Sequence, residues 1–182
     1  MVEILRPTFT APTVEALPKR EDILAGIQLV AFDVDGTLTE HHGQLEESVK
    51  TALNELGARG LNMCIISNAY GDRADSLRDM LGDPFDMPVF TPKSVALLGE
   101  RPSKHRKPSP AMLLHAAKVH GVNLTGVLMV GDQIAKDVVS ANRAGAKSLL
   151  LPRRGHGDDI KVRVFQRPPE ALVRMALGIR FG

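Results

Sequence analysis

The sequence predicts an α/β fold in which a doubly wound, mostly parallel sheet lies between two layers of helices. Short apolar runs typical of buried strands alternate along the chain with segments whose apolar residues recur at helical spacing. Short connections join most of these segments, as expected where helices cross from one parallel strand to the next. The predicted strands are 27–32, 61–66, 88–90, 126–130 and 147–151.

The helices are expected between these strands. Val49, Leu53 and Leu56 recur at helical spacing, which indicates an amphipathic helix. Ser109 is a favourable cap for the third helix, and Gly145 ends the fourth. The predicted helices are 46–59, 71–81, 109–120, 134–143 and 169–177, with a further helical turn within 91–98.

A chain of 182 residues can bury one full core, so we expect a single domain over 1–182. Its first part, 1–25, is expected to be an N-terminal arm, because it is proline-containing and has little periodicity. Only a short helix near 14–17 is expected there. The last part, 152–182, is expected to be a C-terminal extension that begins with a basic, glycine-containing loop.

The composition, with 43% hydrophobic and 24% charged residues, is that of a globular protein. Six Phe, one Tyr and no Trp are too few aromatic rings for a nucleic-acid stacking surface, so no nucleic-acid partner is expected. The single cysteine, Cys64, excludes a disulfide within the chain and is expected in the core rather than as a nucleophile. No signal pattern and no apolar run of about 18 residues are present, so we expect a cytoplasmic protein.

Charge is divided unevenly between the two halves of the chain. Residues 1–90 carry 7 basic and 15 acidic residues, whereas residues 91–182 carry 16 basic and 6 acidic ones. The basic second half indicates an anionic partner or substrate. A solvated surface explains the same asymmetry equally well.

The most informative stretch follows the first predicted strand. Asp33 and Asp35 are two residues apart, so their side chains point the same way, and Gly36 and Thr37 then open a turn. The carboxyl end of a parallel strand faces the crevice where α/β sheets bind ligands. Grouped carboxylates need a compensating cation or proton, so the stretch predicts Mg²⁺ and an acid–base role for one carboxylate.

Polar side chains also follow the second and fourth predicted strands and precede the third predicted helix. The carboxyl ends of parallel strands share one edge of a sheet, so these groups can converge on the first pair. Carboxylates suit a metal, and hydroxyl and ammonium groups suit phosphoryl oxygens, which together meet the needs of phosphoryl transfer. The residues are Ser67, Asn68, Lys107, Asp132, Gln133 and Asp137.

A structural explanation exists for most of these groups. Ser67 and Asn68 are ordinary turn formers at a strand exit. Lys107 lies among other basic residues and can be one more solvated charge. Asp132 and Asp137 are favourable charges near the start of a helix.

In this order the four motifs resemble those of the haloacid dehalogenase-like (HAD) phosphatases. They are Asp-x-Asp-Gly-Thr-Leu from Asp33, Ser-Asn from Ser67, Lys-Pro from Lys107 and Gly-Asp-Gln-x-x-x-Asp from Gly131. The resemblance implies a Rossmann-like three-layer sandwich that hydrolyses phosphomonoesters through an aspartyl-phosphate, with Mg²⁺ as cofactor. The second aspartate of the first motif favours a phosphatase, because transport ATPases of the family carry threonine there and its dehalogenases lack that aspartate.

The same resemblance implies a role for each residue. Asp33 would attack phosphorus, and Asp35 would protonate the leaving oxygen and then activate water. Asp33, the backbone carbonyl of Asp35, and Asp132 would hold Mg²⁺. The phosphate-binding residues would be Ser67, Asn68 and Lys107, and the supporting residues Asp137, Gln133, Gly36 and Thr37.

Neither 33–67 nor 67–107 has room for a cap domain, so a capless, open site is expected. The stretch from Gly131 to Gly145, with the N-terminal arm, is similar to the YqeG-type subgroup of class IIIA phosphatases, which is linked to phosphatidylglycerophosphate phosphatases. This likeness implies a lipid head group as substrate and peripheral contact with the inner membrane face through the basic second half. Gly36 and Ala69 stand where the subgroup usually carries Asn.

Other functions stay open. The first motif also resembles capless sugar-acid phosphatases that work as tetramers, so a soluble sugar-phosphate or nucleotide phosphatase is an alternative, and an open site also suits a homo-oligomer. A non-catalytic binding module would be expected to lack a motif residue, and all are present. His41 and His42 are adjacent, which favours a loop at the entrance of the site over a metal pair.

Overall fold

Six strands form one sheet in a computed structural model, which describes residues 3–40, 43–82, 85–155 and 167–181. Neighbouring strands pair in parallel, and the order across the sheet is β1-β6-β5-β2-β3-β4. The α/β fold with a parallel sheet is therefore confirmed. The strands are β1 (Phe9–Thr10), β2 (Leu29–Phe32), β3 (Asn62–Ile66), β4 (Val89–Phe90), β5 (Val127–Gly131) and β6 (Lys147–Leu150).

Helices pack on both faces of the sheet and complete three layers. Most of them lie where the sequence predicts, and the described segments between β2 and α5 hold no separate cap domain. The helices are α1 (Glu21–Leu24), α2 (Glu47–Ala58), α3 (Asp72–Leu77), α4 (Pro92–Val95), α5 (Ala111–His120), α6 (Val139–Ala144) and α7 (Arg167–Ala176).

Alternation along the central strand β2 separates two hydrophobic clusters. Val30 and Phe32 belong to the cluster that includes the buried face of α2. Leu29 and Ala31 belong to the cluster that includes the buried faces of α5 and α6. Because successive side chains of a strand face opposite ways, a fully apolar strand is expected where helices cover both faces. Each large apolar side chain buried in this way contributes about 1.5–3 kcal/mol.

The chain changes direction across the sheet between β2 and β5. It runs from β2 outward to β4 and then returns to β5, on the other side of β2. Phe32 pairs with Val130, and the main-chain N–H of Asp33 donates to the carbonyl of Val130 at 2.9 Å. The two strands therefore end level with each other, at the switch point where α/β sheets bind ligands.

The N-terminal arm contains a strand that the sequence analysis did not predict. Phe9 of β1 pairs with Leu149 at the edge of the sheet. Next to it, Thr8 and Ser148 exchange hydrogen bonds, each main-chain N–H donating to the other residue's hydroxyl at 3.1 Å. A strand of two residues is too short to show periodicity, so only its partner strand defines it. The helix expected near 14–17 is a 3₁₀-helix, Val14–Lys19.

Two predicted helices contain π-helical turns. The helix predicted over 71–81 is α3 followed by a π-helical turn at Arg78–Gly82. The helix predicted over 134–143 begins with a π-helical turn at Ile134–Val138 and continues as α6. Such turns are frequent at functional sites, and the second one carries Asp137.

Cys64 is fully buried on β3, and burial raises the pKa of its thiol, so it is a core residue as predicted. Within the described ranges, no helix combines the length and the apolar character needed to cross a bilayer. His41 and His42 lie outside the described residues, so their predicted place at the site entrance stays a prediction.

Candidate active site

The turn after β2 brings Asp33 and Asp35 to the edge of the sheet. Gly36 has φ +92°, a conformation that favours glycine, and its N–H donates to the carbonyl of Thr39 at 2.7 Å. The main-chain N–H of Thr37 donates to the carbonyl of Val34 at 3.0 Å. Gly36 and Thr37 thus form the turn that follows the two aspartates, as the sequence predicts.

Lys107 is buried at the centre of the site, with its side chain 2% exposed. Its ammonium donates to Asp33 Oδ1, donates to the carbonyl of Ile66 at 2.9 Å, and lies 2.8 Å from Asp137 Oδ1. A buried ammonium is stable only with such partners, because desolvation of an unpaired charge is costly. The loop before α5 therefore brings a positive charge to the carboxylates at the ends of β2 and β5.

Burial and neighbouring charges shift both groups of this pair. Burial raises the pKa of Asp33 to about 6; Asp137 and Asp35 add to the rise, and Lys107 opposes it. For Lys107, burial by itself lowers the pKa of the ammonium, but Asp137 and Asp33 outweigh it and the net shift is upward. Lys107 therefore stays charged at neutral pH.

Asp33, Asp132 and Asp137 form a buried acidic cluster. One oxygen from each carboxylate lies within 4.8 Å of the others. Oxygen ligands of this kind are those that Mg²⁺ takes in proteins. The cluster shares Asp33 and Asp132 with the predicted ligand set, and it adds the side chain of Asp137, which the sequence analysis assigned only a supporting role.

Glycine at two positions leaves room for two of these carboxylates. A Cβ at Gly131 would lie 2.3 Å from the carboxyl carbon of Asp137. A Cβ at Gly36 would lie 2.8 Å from Asp132 Oδ2. Both distances are far inside van der Waals contact, so a larger residue at either position would push a carboxylate out of the cluster.

Asp35 lies beside this cluster and is more accessible, with its side chain 26% exposed. Arg73 of α3 donates from Nη2 to Asp35 Oδ1 at 2.6 Å. Arg73 does not stand out in the sequence, because nothing in the spacing of α3 distinguishes it from a surface arginine. The pair connects the helix after β3 to the turn after β2.

Ser67 and Asn68 follow β3 at the same edge. The hydroxyl of Ser67 is buried and accepts a hydrogen bond from the main-chain N–H of Ala69 at 3.2 Å. The Asn68 amide accepts from the N–H of Lys107 at 2.8 Å and donates to its carbonyl at 3.2 Å. Asn68 therefore fixes the backbone of Lys107, which precedes a cis peptide bond to Pro108. The phosphate-binding roles of Ser67 and Asn68 stay predictions.

The π-helical turn after β5 positions the remaining motif residues. The main-chain N–H of Gln133 donates to Asp137 Oδ2 at 3.1 Å, which turns that carboxylate back toward the strand end. Arg153, in the loop after β6, lies 3.4 Å from Asp132 Oδ2. Arg174 of α7 donates to the carbonyl of Asp132 at 2.6 Å, so the C-terminal extension contacts the site.

These groups surround an open cavity of about 400 Å³, a size typical of small-molecule sites. Seven predicted site residues line it, Asp132 lies in the acidic cluster next to it, and Gly36 and Thr37 belong to the turn after β2. Several other lining residues had no predicted role in the site, because they are not among the residues that define the motifs. Those residues are Ala69, Tyr70, Arg73, Arg106, Lys136 and Arg153. The basic character of the loop before Lys107 and of the loop after β6 pointed toward two of them, Arg106 and Arg153.

Comparison with known proteins gives relatives of one kind. A family described as HAD-hydrolase-like matches residues 105–174. A phosphoglycolate phosphatase of Neisseria gonorrhoeae is 34% identical, over 72% of this chain and 82% of the relative. A phosphoglycolate phosphatase of Neisseria meningitidis is 26% identical, over 72% of this chain and 83% of the relative.

Solved structures share the fold. A HAD-superfamily hydrolase of subfamily IA from Geobacter sulfurreducens aligns with a TM-score of 0.55 at 18% identity, covering 68% of this chain and 89% of that one. NagD from E. coli aligns with a TM-score of 0.56 at 12% identity, covering 76% and 92%. At such identities the likeness concerns the arrangement of strands and helices alone.

Proposed function

Since the chain belongs to the haloacid dehalogenase-like hydrolases and is a phosphatase of that type, we propose that it hydrolyses phosphomonoesters with Mg²⁺ as cofactor. One observation carries the proposal. Asp33 contacts the ammonium of Lys107 and shares a buried cluster with Asp132 and Asp137. A nucleophile, a fixed positive charge and hard oxygen ligands are thus available at one point, as phosphoryl transfer requires.

Asp33 is the proposed nucleophile. An oxygen of its carboxylate would bond to phosphorus while the bond from phosphorus to the ester oxygen breaks. Lys107, held beside Asp33, would bind the phosphoryl oxygens and offset their negative charge. The product of this step is an aspartyl-phosphate and a free alcohol.

Asp35 is the proposed acid and base. It would give its proton to the leaving ester oxygen and then take a proton from the water that attacks phosphorus, which frees Asp33 and inorganic phosphate. Its carboxylate lines the cavity and is twice as exposed as that of Asp33, with 26% against 13% of the side chain exposed. Access to solvent suits a group that exchanges protons in each turnover.

Asp33, Asp132 and Asp137 are the side chains that would hold Mg²⁺. Their donors fit the ion, because they are three buried carboxylates with oxygens within 4.8 Å of one another. The space left by Gly36 and Gly131 fits the same purpose, since it lets the carboxylates approach closely. When bound, the ion supplies charge stabilisation for the transferring phosphoryl group.

Two substrate classes have support. The names of the Neisseria relatives favour a small soluble phosphomonoester. Phosphatidylglycerophosphate, which the subgroup resemblance implies, has support from α7, where Leu172 and Met175 are 61% and 75% exposed on the helix that contacts the site through Arg174. Exposed apolar side chains on a basic protein suit an anionic membrane surface.

Turnover of p-nitrophenyl phosphate tests the proposed chemistry. We expect Mg²⁺-dependent activity that EDTA abolishes and excess Mg²⁺ restores. Asp33→Asn is expected to lower kcat by roughly 10³-fold or more, because it removes the nucleophile. Asp79→Asn, at an exposed position of the π-helical turn after α3, is the matched control and should retain wild-type activity.

Full activity in Asp33→Asn would refute the nucleophile assignment, and turnover that ignores EDTA would refute the metal site. A wild-type protein that hydrolyses no phosphomonoester would refute the proposed function. Phosphatidylglycerophosphate in vesicles and a panel of soluble phosphomonoesters then separate the two substrate classes, since the class that is not hydrolysed is rejected.

A further inference from the structure

The cavity has more positive charge than the proposed chemistry uses. Besides Lys107, its lining includes four cationic side chains, which are Arg73, Arg106, Lys136 and Arg153. Arg73 is paired with Asp35, and Arg153 lies against Asp132. Among the described residues, no carboxylate lies within ion-pair distance of Arg106 or Lys136. These two cations therefore form a positive rim around the inner phosphoryl site at Asp33 and Lys107.

Arg106 is held in place although it is exposed. It directly precedes Lys107, whose backbone is clamped on both sides by the Asn68 amide. Its guanidinium lies 5.3 Å from the centre of the Tyr70 ring, a cation–π arrangement. Tyr70, itself 42% exposed, follows the Ser67–Asn68 motif in the chain. Arg106 is thus oriented by an aromatic face rather than by a carboxylate, which leaves its hydrogen-bond donors to a ligand.

Lys136 is positioned by a different element. It belongs to the π-helical turn Ile134–Val138 and immediately precedes Asp137, whose carboxylate is fixed by Lys107 and by the N–H of Gln133. The backbones that carry Arg106 and Lys136 are therefore both tied to the acidic cluster. Their charges line the same cavity as Asp33.

From this arrangement we propose that Arg106, supported by Tyr70, and Lys136 bind a second anionic group of the substrate. The inference rests on the proposed function and names its substrate class, which is a phosphomonoester that also carries a carboxylate or a phosphodiester. The phosphoryl group occupies the inner site at Asp33 and Lys107. The second anion reaches the rim, where a guanidinium can bind either group through two parallel hydrogen bonds.

A matched pair of substrates tests the rim. The molecules 3-phosphoglycerate and glycerol 3-phosphate share a phosphomonoester, but a carboxylate in the first replaces a hydroxymethyl group in the second. We expect kcat/KM to be about tenfold higher for 3-phosphoglycerate, the size of effect that a charge-assisted hydrogen bond at a partly exposed site provides. Arg106→Gln should remove most of this preference, with Lys136 accounting for the remainder, and Arg106→Lys should restore part of it.

Two further variants separate binding from a general charge effect. Tyr70→Leu removes the aromatic support and should weaken the preference less than Arg106→Gln does. Lys104→Gln removes the same charge from an exposed position of the same loop, outside the cavity lining, and should leave the preference at the wild-type value. Thermal unfolding of each variant checks that the fold is intact.

The outcomes are distinguishable. If wild-type protein hydrolyses p-nitrophenyl phosphate but has equal kcat/KM for 3-phosphoglycerate and glycerol 3-phosphate, the rim proposal is overturned and the proposed function stands. An equal loss of preference in Lys104→Gln would also overturn it. If no phosphomonoester is hydrolysed, both proposals fail. Vesicles with phosphatidylglycerophosphate identify the source of the second anion, since a loss of lipid turnover in Arg106→Gln points to a phosphodiester and retained lipid turnover points to a soluble carboxylate.

Discussion

At the carboxyl ends of β2 and β5, the close approach of the charged side chains depends on the small residues beside them. Asp33, Asp132 and Asp137 form a buried cluster, and the Lys107 ammonium contacts Asp33 and Asp137, so these carboxylates have little freedom to move. Gly131 is the residue whose size matters most here, because its position faces the Asp137 carboxyl group directly.

We expect Gly131→Ala to lower phosphatase activity by about 100-fold, since even a displacement of about 1 Å in a catalytic group has that effect. The new methyl group forces the Asp137 carboxylate away from the cluster. The free energy of unfolding should also fall by roughly 1–3 kcal/mol, the usual penalty of an overpacked core. Steady-state kinetics with Mg²⁺ and urea denaturation measure the two effects.

Gly57→Ala is the matched control for this variant. Gly57 lies within α2, where an added Cβ would lie 3.5 Å from the Met63 side chain, an ordinary contact. The variant should keep wild-type activity and gain about 0.5–1 kcal/mol of stability from helix propensity. Wild-type activity in Gly131→Ala would contradict the packing argument.

Among the elements, the edge strand β1 depends on its partner strand. It has two residues, and it is held at the sheet edge by its pairing with β6 and by the hydrogen bonds between Thr8 and Ser148. Strands this short are stable only in a larger sheet. Local opening of the arm is therefore expected to require less free energy than opening of the central strands.

Ser148→Ala is expected to lower the free energy of unfolding by about 1 kcal/mol, because it removes the hydroxyl that accepts from the N–H of Thr8. Hydrogen exchange should become faster at the amide of Ala11, which donates to Leu150 at 3.4 Å, and stay unchanged within β2. Ser76→Ala, at an exposed position of α3, is the control and should alter neither quantity. Unchanged exchange at Ala11 in the first variant would show that the edge strand does not depend on this contact.

Across the whole molecule, one arginine connects three distant segments. Arg154, in the loop after β6, donates to Glu15 in the N-terminal arm and, at 3.0 Å, to Glu46 before α2. Its main-chain N–H donates to the carbonyl of Gly36 at 2.7 Å, next to the aspartates of the site. The arm and the loop after β6 thus support the turn that carries Asp33 and Asp35.

This network makes stability depend on pH in a defined direction. Burial by itself raises the pKa of Glu15. The hydrogen bond and charge of Arg154, together with hydrogen bonds from the main chain and from Ser48, outweigh burial and lower the pKa below its ordinary value of 4.5. An acid whose pKa is lowered on folding stabilises the protein above its unfolded pKa, and this contribution is lost as pH falls through the folded value. At pH 7 Glu15→Gln should therefore cost about 0.5–1 kcal/mol.

Urea denaturation at several pH values measures this effect. The difference between wild-type protein and Glu15→Gln should shrink toward zero as pH falls below about 4.5. Glu55→Gln, at an exposed position of α2, is the control and should match the wild-type protein throughout. A difference that persists unchanged at pH 3 would assign the loss to packing rather than to charge.

The strand and helix pattern, and the four motif positions, follow from local sequence. Continuous apolar runs define β2, β3 and β5, because strands with helices on both faces need apolar side chains on both faces. The motifs also predict that Asp33, Lys107 and Asp132 meet, since parallel strands end at one edge. The roles assigned to these residues come from the family resemblance that the motifs carry, and they stay a proposal until activity is measured.

Only the tertiary structure decides which side chains complete the site. Arg73, Tyr70, Arg106 and Lys136 are not among the residues that define the motifs, and they become neighbours of the aspartates because separate elements end around one cavity. The edge strand β1 is equally invisible in the sequence, since its hydrogen-bond partners lie about 140 residues away. The local spacing of apolar residues determines whether a segment forms a helix or a strand. Contacts between segments that are distant in the chain depend instead on the topology of the whole sheet.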